Sequence, residues 1–333
     1  MKNIISLCVG AVFLAGFSPV LIAQEEVEDT LPPHFPMLWE VKSGNGESKG
    51  YLFGTMHLAD PRVANFPQTV TDAVKSCDVV VTEIKLDAEN TNKAALLGLL
   101  PAGEKRNLVD LIPAETAKNL DIELKLISPM LGVKSPPFSR MKVWTVMVTV
   151  PILDSMMEHP GMPSVDEKVV KIAEEAKIEQ DALETLDEQM SALTSYKDEE
   201  MIELLDLSLE GMRVARENEL GSYSEAMILS YRSGDLDELV ESAVWNEELY
   251  GRPEPEVLKS FMHALVEERN LRMAKRLIDR YKASPEKKYF VAVGALHMPG
   301  ETGLIKQLEM AGFTVERVPA HEVVEASNNK KGL

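Results

Sequence analysis

The chain has 333 residues, and with 35 Lys and Arg against 54 Asp and Glu its formal net charge is −19. This excess of acidic residues argues against a nucleic-acid partner and against binding to an anionic membrane surface, and it favours solubility. The length suits one large domain or two interleaved domains with a sizeable hydrophobic core.

The first 23 residues have the pattern of a secretory signal peptide. A short basic start, residues 1–3, precedes an apolar core, residues 4–17, and a small residue, Ala23, precedes an acidic stretch. The alternative is an uncleaved anchor, but the apolar core is shorter than the roughly 20 residues that span a bilayer. The sequence therefore predicts an exported protein, periplasmic or secreted, that begins at Gln24 and keeps no membrane anchor after cleavage.

Cleavage at this position would leave 333 − 23 = 310 residues. Since Lys2 is the only charged residue removed, the formal charge would become −19 − 1 = −20. Of the two cysteines, Cys8 lies inside the apolar core of the signal peptide, so the mature chain keeps only Cys77. An intrachain disulfide is then excluded, and the fold must rest on its hydrophobic core despite the oxidising compartment.

The remaining chain is predicted to form an α/β domain over residues 37–320, between a flexible leader, residues 24–36, and a disordered tail, residues 321–333. Short apolar runs rich in β-branched and aromatic residues predict strands. These predicted strands are residues 37–41, 51–53, 79–84, 178–184, 289–293 and 313–318. Helical patterns cover residues 67–76, 145–153, 166–176 and 304–311, and residues 187–282 are nearly all helical.

Two of the predicted strands are followed by the same Gly-x-x-His motif. Gly54 and His57 follow the run Tyr-Leu-Phe, and Gly294 and His297 follow the run Tyr-Phe-Val-Ala-Val. Gly294 permits a sharp bend, and a loop that leaves the carboxyl end of a strand presents its side chains to a crevice. We therefore expect the two ends of the chain to meet, with His57 and His297 in one crevice.

A third candidate, Glu83, stands near the carboxyl end of the apolar strand over residues 79–84. A glutamate in such a run is costly to bury unless it is paired or binds a metal. Together with His57 and His297 it offers two nitrogen ligands and a carboxylate, which suits a divalent metal (zinc, manganese, cobalt or iron) with open positions for water. The alternative for each histidine is an ordinary hydrogen-bonded loop residue.

These segments resemble the TraB/GumN family, which includes the TIKI metalloproteases. The similarity rests on Tyr-Leu-Phe-Gly-Thr-Met-His, Val-Val-Val-Thr-Glu-Ile, Glu-Arg-Asn and Val-Ala-Val-Gly-Ala-Leu-His-Met-Pro-Gly, and it extends roughly from residue 38 to residue 318. The resemblance implies a mixed sheet flanked by helices, similar to the erythromycin esterase and ChaN-like proteins. It also implies an active site made of the two motifs, a glutamate and an arginine, which are here Gly54, His57, Gly294, His297, Glu83 and Arg269.

The chain departs from the family pattern at Lys142-Val143-Trp144, where many relatives have Lys-Pro-Trp. The change removes a fixed backbone angle ahead of a helix but no reactive group. It therefore affects the expected local geometry rather than the expected chemistry.

Arg269 lies in the middle of a predicted helix, and no carboxylate stands three or four positions away. Either it is an ordinary charge on a solvated face, or its guanidinium points into the crevice and holds Glu83 or Glu184 or stabilises an oxyanion. The resemblance favours the second interpretation, which predicts that Arg269→Lys impairs activity and leaves the melting temperature nearly unchanged.

Two further carboxylates lie at the ends of predicted elements. Glu184 closes a short predicted strand and is either a metal ligand, a general base or a surface carboxylate. Asp166 follows a loop and is interpreted only as the cap of its helix. Serine and thiol hydrolysis are disfavoured, because the sequence has no Gly-x-Ser-x-Gly motif and Cys77 has no evident histidine partner.

The leading functional prediction is a metal-dependent hydrolase, peptidase-like, that acts on a peptide or a small molecule. The metal would lower the pKa of a bound water and a glutamate would take its proton. One alternative is a non-catalytic metal- or haem-binding protein of the ChaN-like type. Another is a degenerate scaffold that keeps the fold for partner binding.

Overall fold

The computed structural model describes residues 34–218 and 222–319. The predicted signal peptide, most of the predicted leader and the predicted tail lie outside the described residues. None of the helices within the described residues is long and apolar enough to cross a membrane.

Six strands form one mixed sheet in the order β4-β3-β5-β2-β1-β6. The strands are β1 (Leu38–Lys42), β2 (Ser48–Thr55), β3 (Val79–Thr82), β4 (Glu179–Ala182), β5 (Tyr289–Gly294) and β6 (Thr314–Arg317). Strands β4, β3, β5 and β2 are parallel neighbours, whereas β1 is antiparallel to both β2 and β6. The α/β fold with a mixed sheet is thus confirmed, and β1 and β2 form an antiparallel hairpin.

The register of the four parallel strands brings their carboxyl ends to the same edge of the sheet. Thr55 of β2 lies opposite Gly294 of β5, and Thr82 of β3 lies opposite Ala292 of β5 and Ala182 of β4. Strand β5 is buried along its whole length, as its continuous apolar sequence predicts. Side chains that follow these four strands therefore come close together in space.

Helices surround this sheet and fill the middle of the chain. They are α1 (Pro61–Ala64), α2 (Gln68–Lys75), α3 (Ala88–Leu97), α4 (Ala114–Ile127), α5 (Val143–Thr149), α6 (Leu153–Glu158), α7 (Val165–Ala176), α8 (Leu186–Thr194), α9 (Asp198–Glu217), α10 (Tyr223–Ser233), α11 (Leu236–Ala243), α12 (Glu247–Tyr250), α13 (Glu256–Met262), α14 (Glu268–Ala283) and α15 (Leu304–Met310). The predicted helical region over residues 187–282 corresponds to α8 to α14. Helix α5 begins at Val143, a first-turn position that would also accept the proline of the relatives.

A π-helical turn, His263–Glu267, joins α13 to α14. A π turn inserts extra residues into the helical register, and such turns are frequent at functional sites. The two residues that follow early in α14, Arg269 and Asn270, are each only 1% exposed. The helix therefore directs a charged and a polar side chain into the interior of the protein.

The arginines further along α14 form what we call the arginine ladder: Arg272, Arg276 and Arg280. Their four-residue spacing puts them on one face of the helix. Each pairs with a carboxylate from the segment around β4, Arg272 with Glu184, Arg276 with Glu188 and Arg280 with Asp181. Arg280 also donates to the backbone carbonyl of Ala182 over 2.7 Å. The ladder thereby fastens α14 to the outer strand of the sheet.

The predicted bend does not lie at Gly294, and the glycines of the two Gly-x-x-His motifs have other roles. Gly294 is the last residue of β5 and has an extended backbone (φ −49°, ψ 137°), and the chain turns only in the following 3₁₀ helix, Ala295–His297. A Cβ on Gly54 would lie 3.1 Å from the Cα of Ala295. Gly54 is therefore explained by close packing of the first motif against the second.

Candidate active site at the carboxyl ends of the parallel strands

The predicted site residues lie together at one edge of the sheet. His57, Glu83, Glu184 and His297 each come within three residues of the end of a parallel strand, β2, β3, β4 and β5 respectively. Arg269 reaches the same place from α14. The fold thus brings two histidines that are 297 − 57 = 240 positions apart against the same glutamate.

Glu83 is the centre of the cluster and is 4% exposed. Its Oε1 accepts a hydrogen bond from the Gly294 N–H over 2.7 Å. Its Oε2 accepts from Arg269 Nη2 over 2.5 Å and from Gln189 Nε2 over 3.0 Å. Burial alone would raise the pKa of Glu83, but the attraction of the Arg269 guanidinium, with a weaker contribution from the Gly294 N–H, brings that pKa well below its usual range. Glu83 is therefore held as an anion.

Arg269 joins Glu83 to Glu184 in a buried ion cluster. Its Nη2 bonds Glu83, and its Nε donates to Glu184 Oε2 over 2.8 Å. Burial lowers the pKa of Arg269, but the two carboxylates outweigh it and the net shift is upward. The interpretation of Arg269 as a charge on a solvated face is wrong. Its side chain is 1% exposed, and the two carboxylates that it bonds, Glu83 and Glu184, lie outside α14.

Glu184 is neutralised by two guanidinium groups. Its Oε2 accepts from Arg269 and its Oε1 accepts from Arg272, with Arg272 Nε at 3.0 Å. The carboxylate is 5% exposed, so it is not the surface group that was one of its interpretations. Both oxygens of Glu184 are thus engaged by arginines, one by Arg269 and the other by Arg272.

The two histidines face one oxygen of Glu83. His57 Nε2 lies 3.8 Å and His297 Nε2 lies 3.6 Å from Glu83 Oε1. On the other side of each ring, His57 Nδ1 lies 2.7 Å from Asp166 Oδ2 and His297 Nδ1 lies 2.6 Å from Asn270 Oδ1. Both partners are oxygen acceptors, so each Nδ1 carries a proton, and in the neutral form of either ring the lone pair of Nε2 faces Glu83.

The different partners at Nδ1 make the two histidines unlike each other. Burial lowers the pKa of His57, but the charge and hydrogen bond of Asp166 outweigh it and the net shift is upward. Burial lowers the pKa of His297 to about 3, because the amide oxygen of Asn270 supplies no charge to oppose it and Glu83 offsets it only in part. His297 is therefore neutral at physiological pH.

Asp166 is one of two residues, with Asn270, whose contact with a histidine the sequence interpretation missed. The cap of α7 is Ser164, whose side chain accepts from the Glu167 N–H while Glu167 bonds back to the Ser164 N–H. Asp166 is instead 6% exposed, and besides His57 it accepts a hydrogen bond from Thr55 Oγ1 over 2.6 Å. The Ser-x-x-Glu pattern of a capping box was the available signal, because it assigns the cap to Ser164 and frees Asp166.

A profile of the TraB/PrgY/gumN family matches residues 37–317. The chain belongs to this family. The resemblance found in the sequence is therefore confirmed over nearly all of the described residues.

The curated relatives of this TraB-family chain include proteins named as metalloproteases. It is 28% identical to Metalloprotease TIKI1 of Danio rerio over 85% of this chain and 63% of the relative. It is 25% identical to Metalloprotease TIKI1 of Homo sapiens over 88% of this chain and 64% of the relative. A Metalloprotease TIKI homolog of Nematostella vectensis is 24% identical over 97% of this chain and 77% of the relative. The chain thus spans less than two thirds of the length of the first two.

The ligand atoms available at the site of this TraB-family chain, imidazole nitrogen and carboxylate oxygen, are of types that bind divalent metals. Zinc, manganese, cobalt and iron all accept imidazole nitrogen and carboxylate oxygen, and an oxygen acceptor on the second ring nitrogen is typical of metal-binding histidines. The side chains are not closed into a metal cage: within residues 34–218 and 222–319, no group of three or more His, Cys, Asp or Glu is arranged to hold a metal ion. Metal binding by His57, His297 and Glu83 stays a prediction.

Replacing Asp166 with Asn is expected to weaken metal affinity or activity about 10- to 100-fold, the usual effect of losing the acceptor behind a ligating histidine. The amide keeps the shape of the side chain but removes the charge that orients and polarises His57. Metal titration and turnover would be measured on the same preparation, with Asp235→Asn as the control, since Asp235 caps α11 and asparagine caps equally well. Unchanged affinity and turnover in a folded Asp166→Asn protein would contradict the positioning role.

Proposed function

We propose that this chain is an exported, metal-dependent hydrolase that cleaves peptides. The observation that carries the proposal is the convergence of His57 Nε2 and His297 Nε2 on Glu83 Oε1, from opposite ends of the chain. The names of the TIKI relatives support a peptidase activity, and the family match over residues 37–317 covers every residue of the site.

The residues that would hold the metal are His57, His297 and Glu83. A divalent metal in this place would lower the pKa of a bound water and polarise the carbonyl of the scissile bond. Glu83 suits a ligand more than a base, because its charge is stabilised by three hydrogen-bond donors. Asp166 and Asn270 fix the ring orientation and tautomer of the two histidines.

The contacts of Arg269 support one of the two roles suggested for it, that of holding the carboxylates. Its guanidinium is engaged by Glu83, Glu184 and the Leu265 carbonyl, so it holds the carboxylates in place. Stabilisation of an oxyanion would need a donor that is directed at substrate. We therefore assign Arg269 and Glu184 to organising the site, with Glu83 and the histidines nearer to the chemistry.

Peptidase activity is tested with the purified mature protein and a mixed peptide library, with and without chelator. Cleavage that stops with chelator and returns when one divalent metal is added back supports the proposal. His57→Ala protein purified in parallel controls for contaminating peptidases. Wild-type protein that binds metal through both histidines but cleaves no peptide or ester would overturn the hydrolase proposal and leave a metal-binding protein.

Export is proposed from the signal-peptide pattern of residues 1–23. The expected mature protein begins at Gln24 or at its cyclised form, because signal peptidases cut after small residues such as Ala23. Sequencing the amino terminus of exported material checks this. Full-length chain recovered from the cytoplasm alone would refute it.

A further inference from the structure

An apolar pocket of about 360 Å³ lies beside the loop that carries His297. Its apolar walls come from three places, the end of α11 with the residue after it, the π turn with its preceding residue, and the loop around His297. These residues are Val240 and Val244, Met262 and Val266, and Leu296 and Pro299. Pockets of this size hold small ligands or single side chains. The pocket is therefore large enough for an aliphatic or aromatic side chain.

Two residues of the pocket lining adjoin His297. Asn270 lines the pocket, and its Oδ1 accepts from His297 Nδ1 over 2.6 Å. Leu296 lines the pocket and directly precedes His297. A ligand in the pocket that contacts Asn270 would thus be separated from His297 by the Asn270 side chain alone. Movement of Asn270 on binding would change the orientation of the His297 ring.

Backbone geometry fixes the shape of one wall. Gly300 has a positive φ of +83°, and a Cβ on Gly303 would lie 2.0 Å from the carbonyl oxygen of Pro299. The turn between Pro299 and Gly303 is therefore tight and admits only glycine at its end. A wall set by such a turn is preorganised, which reduces the entropy lost when a ligand binds.

The rim of the pocket is acidic. Glu267, which also contacts His263, and Glu301 both line the pocket and are exposed. The described residues that line the pocket include no Lys or Arg. A cationic group next to an apolar anchor would therefore be attracted to this mouth, whereas an acidic one would be repelled.

We propose that this pocket binds an aliphatic or aromatic side chain of a peptide substrate and that its acidic rim favours a Lys or Arg beside that side chain. The proposal rests on the proposed peptidase function and names its substrate class. Burying a leucine or phenylalanine side chain in such a pocket corresponds to about 10- to 100-fold in affinity over alanine. The residues that set this preference are those of the walls, among them Val266 of the π turn.

The test uses fluorescent hexapeptides of the form Ala-Lys-X-Ala-Lys-Ala, with both bonds that flank X methylated on nitrogen to prevent cleavage. Binding to the protein as purified is followed by anisotropy for X = Leu, Phe, Ala and Asp. Val266→Trp fills the pocket, and Val244→Trp does so from its edge. Leu271→Trp is the matched control, because Leu271 is 49% exposed on α14 and is not part of the pocket lining. Melting curves confirm that each variant is folded.

We expect Leu and Phe peptides to bind at least about 10-fold more tightly than Ala and Asp peptides, with the preference lost in a folded filling variant and kept in Leu271→Trp. Equal affinity for all four peptides, or an unchanged preference in both filling variants, would overturn the pocket proposal. Selective binding without cleavage of the unmethylated peptides would support the pocket and count against the hydrolase. Cleavage of the unmethylated peptides without any preference for X would support the hydrolase and count against the pocket.

Discussion

Replacing Arg269 with Met is expected to lower the free energy of unfolding by about 3–5 kcal/mol, the usual cost of removing one partner from a buried ion pair. Arg269 is 1% exposed and bonds both Glu83 and Glu184. After the change Glu184 keeps Arg272, whereas Glu83 keeps only Gln189 and the Gly294 N–H among the donors described above. The cost therefore arises mainly from a buried glutamate without its guanidinium, and chemical denaturation at pH 7 would measure it.

Two further variants make this result interpretable. Arg276→Met is the matched control on the same helix, because Arg276 and Glu188 are about a third exposed, and such pairs contribute roughly 0–1 kcal/mol. Adding Glu83→Gln to Arg269→Met should restore part of the loss, since it removes the charge that was left behind. Equal losses in the Arg269 and Arg276 variants, or no recovery with Glu83→Gln, would contradict the buried cluster.

The free energy of unfolding of Arg269→Met should depend on pH differently from that of the wild type. In the wild type, burial opposes the charge of Glu83 but Arg269 outweighs it, so the pKa is depressed below the ordinary 4.5. The pair then contributes stability above pH 4.5 that is lost as pH falls through the folded pKa. Without Arg269, burial should raise that pKa, so the variant loses stability as pH rises through it. The stability difference between the two proteins is expected to narrow as pH is lowered from 7 towards 4.

The burial of Arg269 changes the result that the sequence predicted for Arg269→Lys. If Arg269 served only the site, Arg269→Lys would leave the melting temperature nearly unchanged. A lysine has one ammonium group in place of the planar guanidinium that spans Glu83 and Glu184. We therefore expect Arg269→Lys to lose stability as well as activity, and to a smaller extent than Arg269→Met because a charge remains.

The second large effect concerns metal content. His57→Ala and His297→Ala are each expected to remove most of the bound metal, because each deletes one of two imidazole donors that face Glu83 Oε1. The double variant should lose little more than either single variant, since residues of one broken site do not act additively. Elemental analysis and metal titration of the purified proteins would measure this.

Two comparisons sharpen the metal test. His263→Ala is the control, because His263 is exposed and contacts only Glu267 and Glu268 among the ion pairs described. Glu83→Gln is expected to weaken metal binding if Glu83 is a ligand. If Glu83 is the base, metal would stay while turnover fell about 100-fold or more. Full metal content in both His→Ala variants would disprove a shared site.

The sequence predicted the parts of the site that depend on strand ends. An apolar run followed by Gly-x-x-His places a histidine just beyond a strand, and parallel pairing then brings His57, Glu83 and His297 to one edge. That inference needs only the local pattern and the rule that loops at carboxyl ends share a crevice. Strands β1, β3 and β5 were predictable for the same reason, because each is short and rich in apolar or β-branched residues, whereas β4 is polar and charged.

The roles of Asp166 and Asn270 depend on tertiary contacts that local patterns do not contain. Asp166 lies at the start of a helix, where acidic residues are common for reasons of the helix dipole alone. Asn270 follows the π turn in α14, and its contact with His297 joins that helix to the loop after β5. Such residues become visible only when packing brings another element against them.

The arginine ladder has a consequence for self-association. Strand β4 ends the sheet, and the outer strand of a sheet offers backbone groups to which a strand of another chain can add. Here Arg280 already occupies the carbonyl of Ala182, and the strand itself is polar and charged, reading Glu-Gln-Asp-Ala. Bulky cations and bound carboxylates disfavour growth into fibres at this edge. Helix α14, which supplies Arg269 to the site, thus also disfavours the addition of a strand from a second copy of the chain at β4.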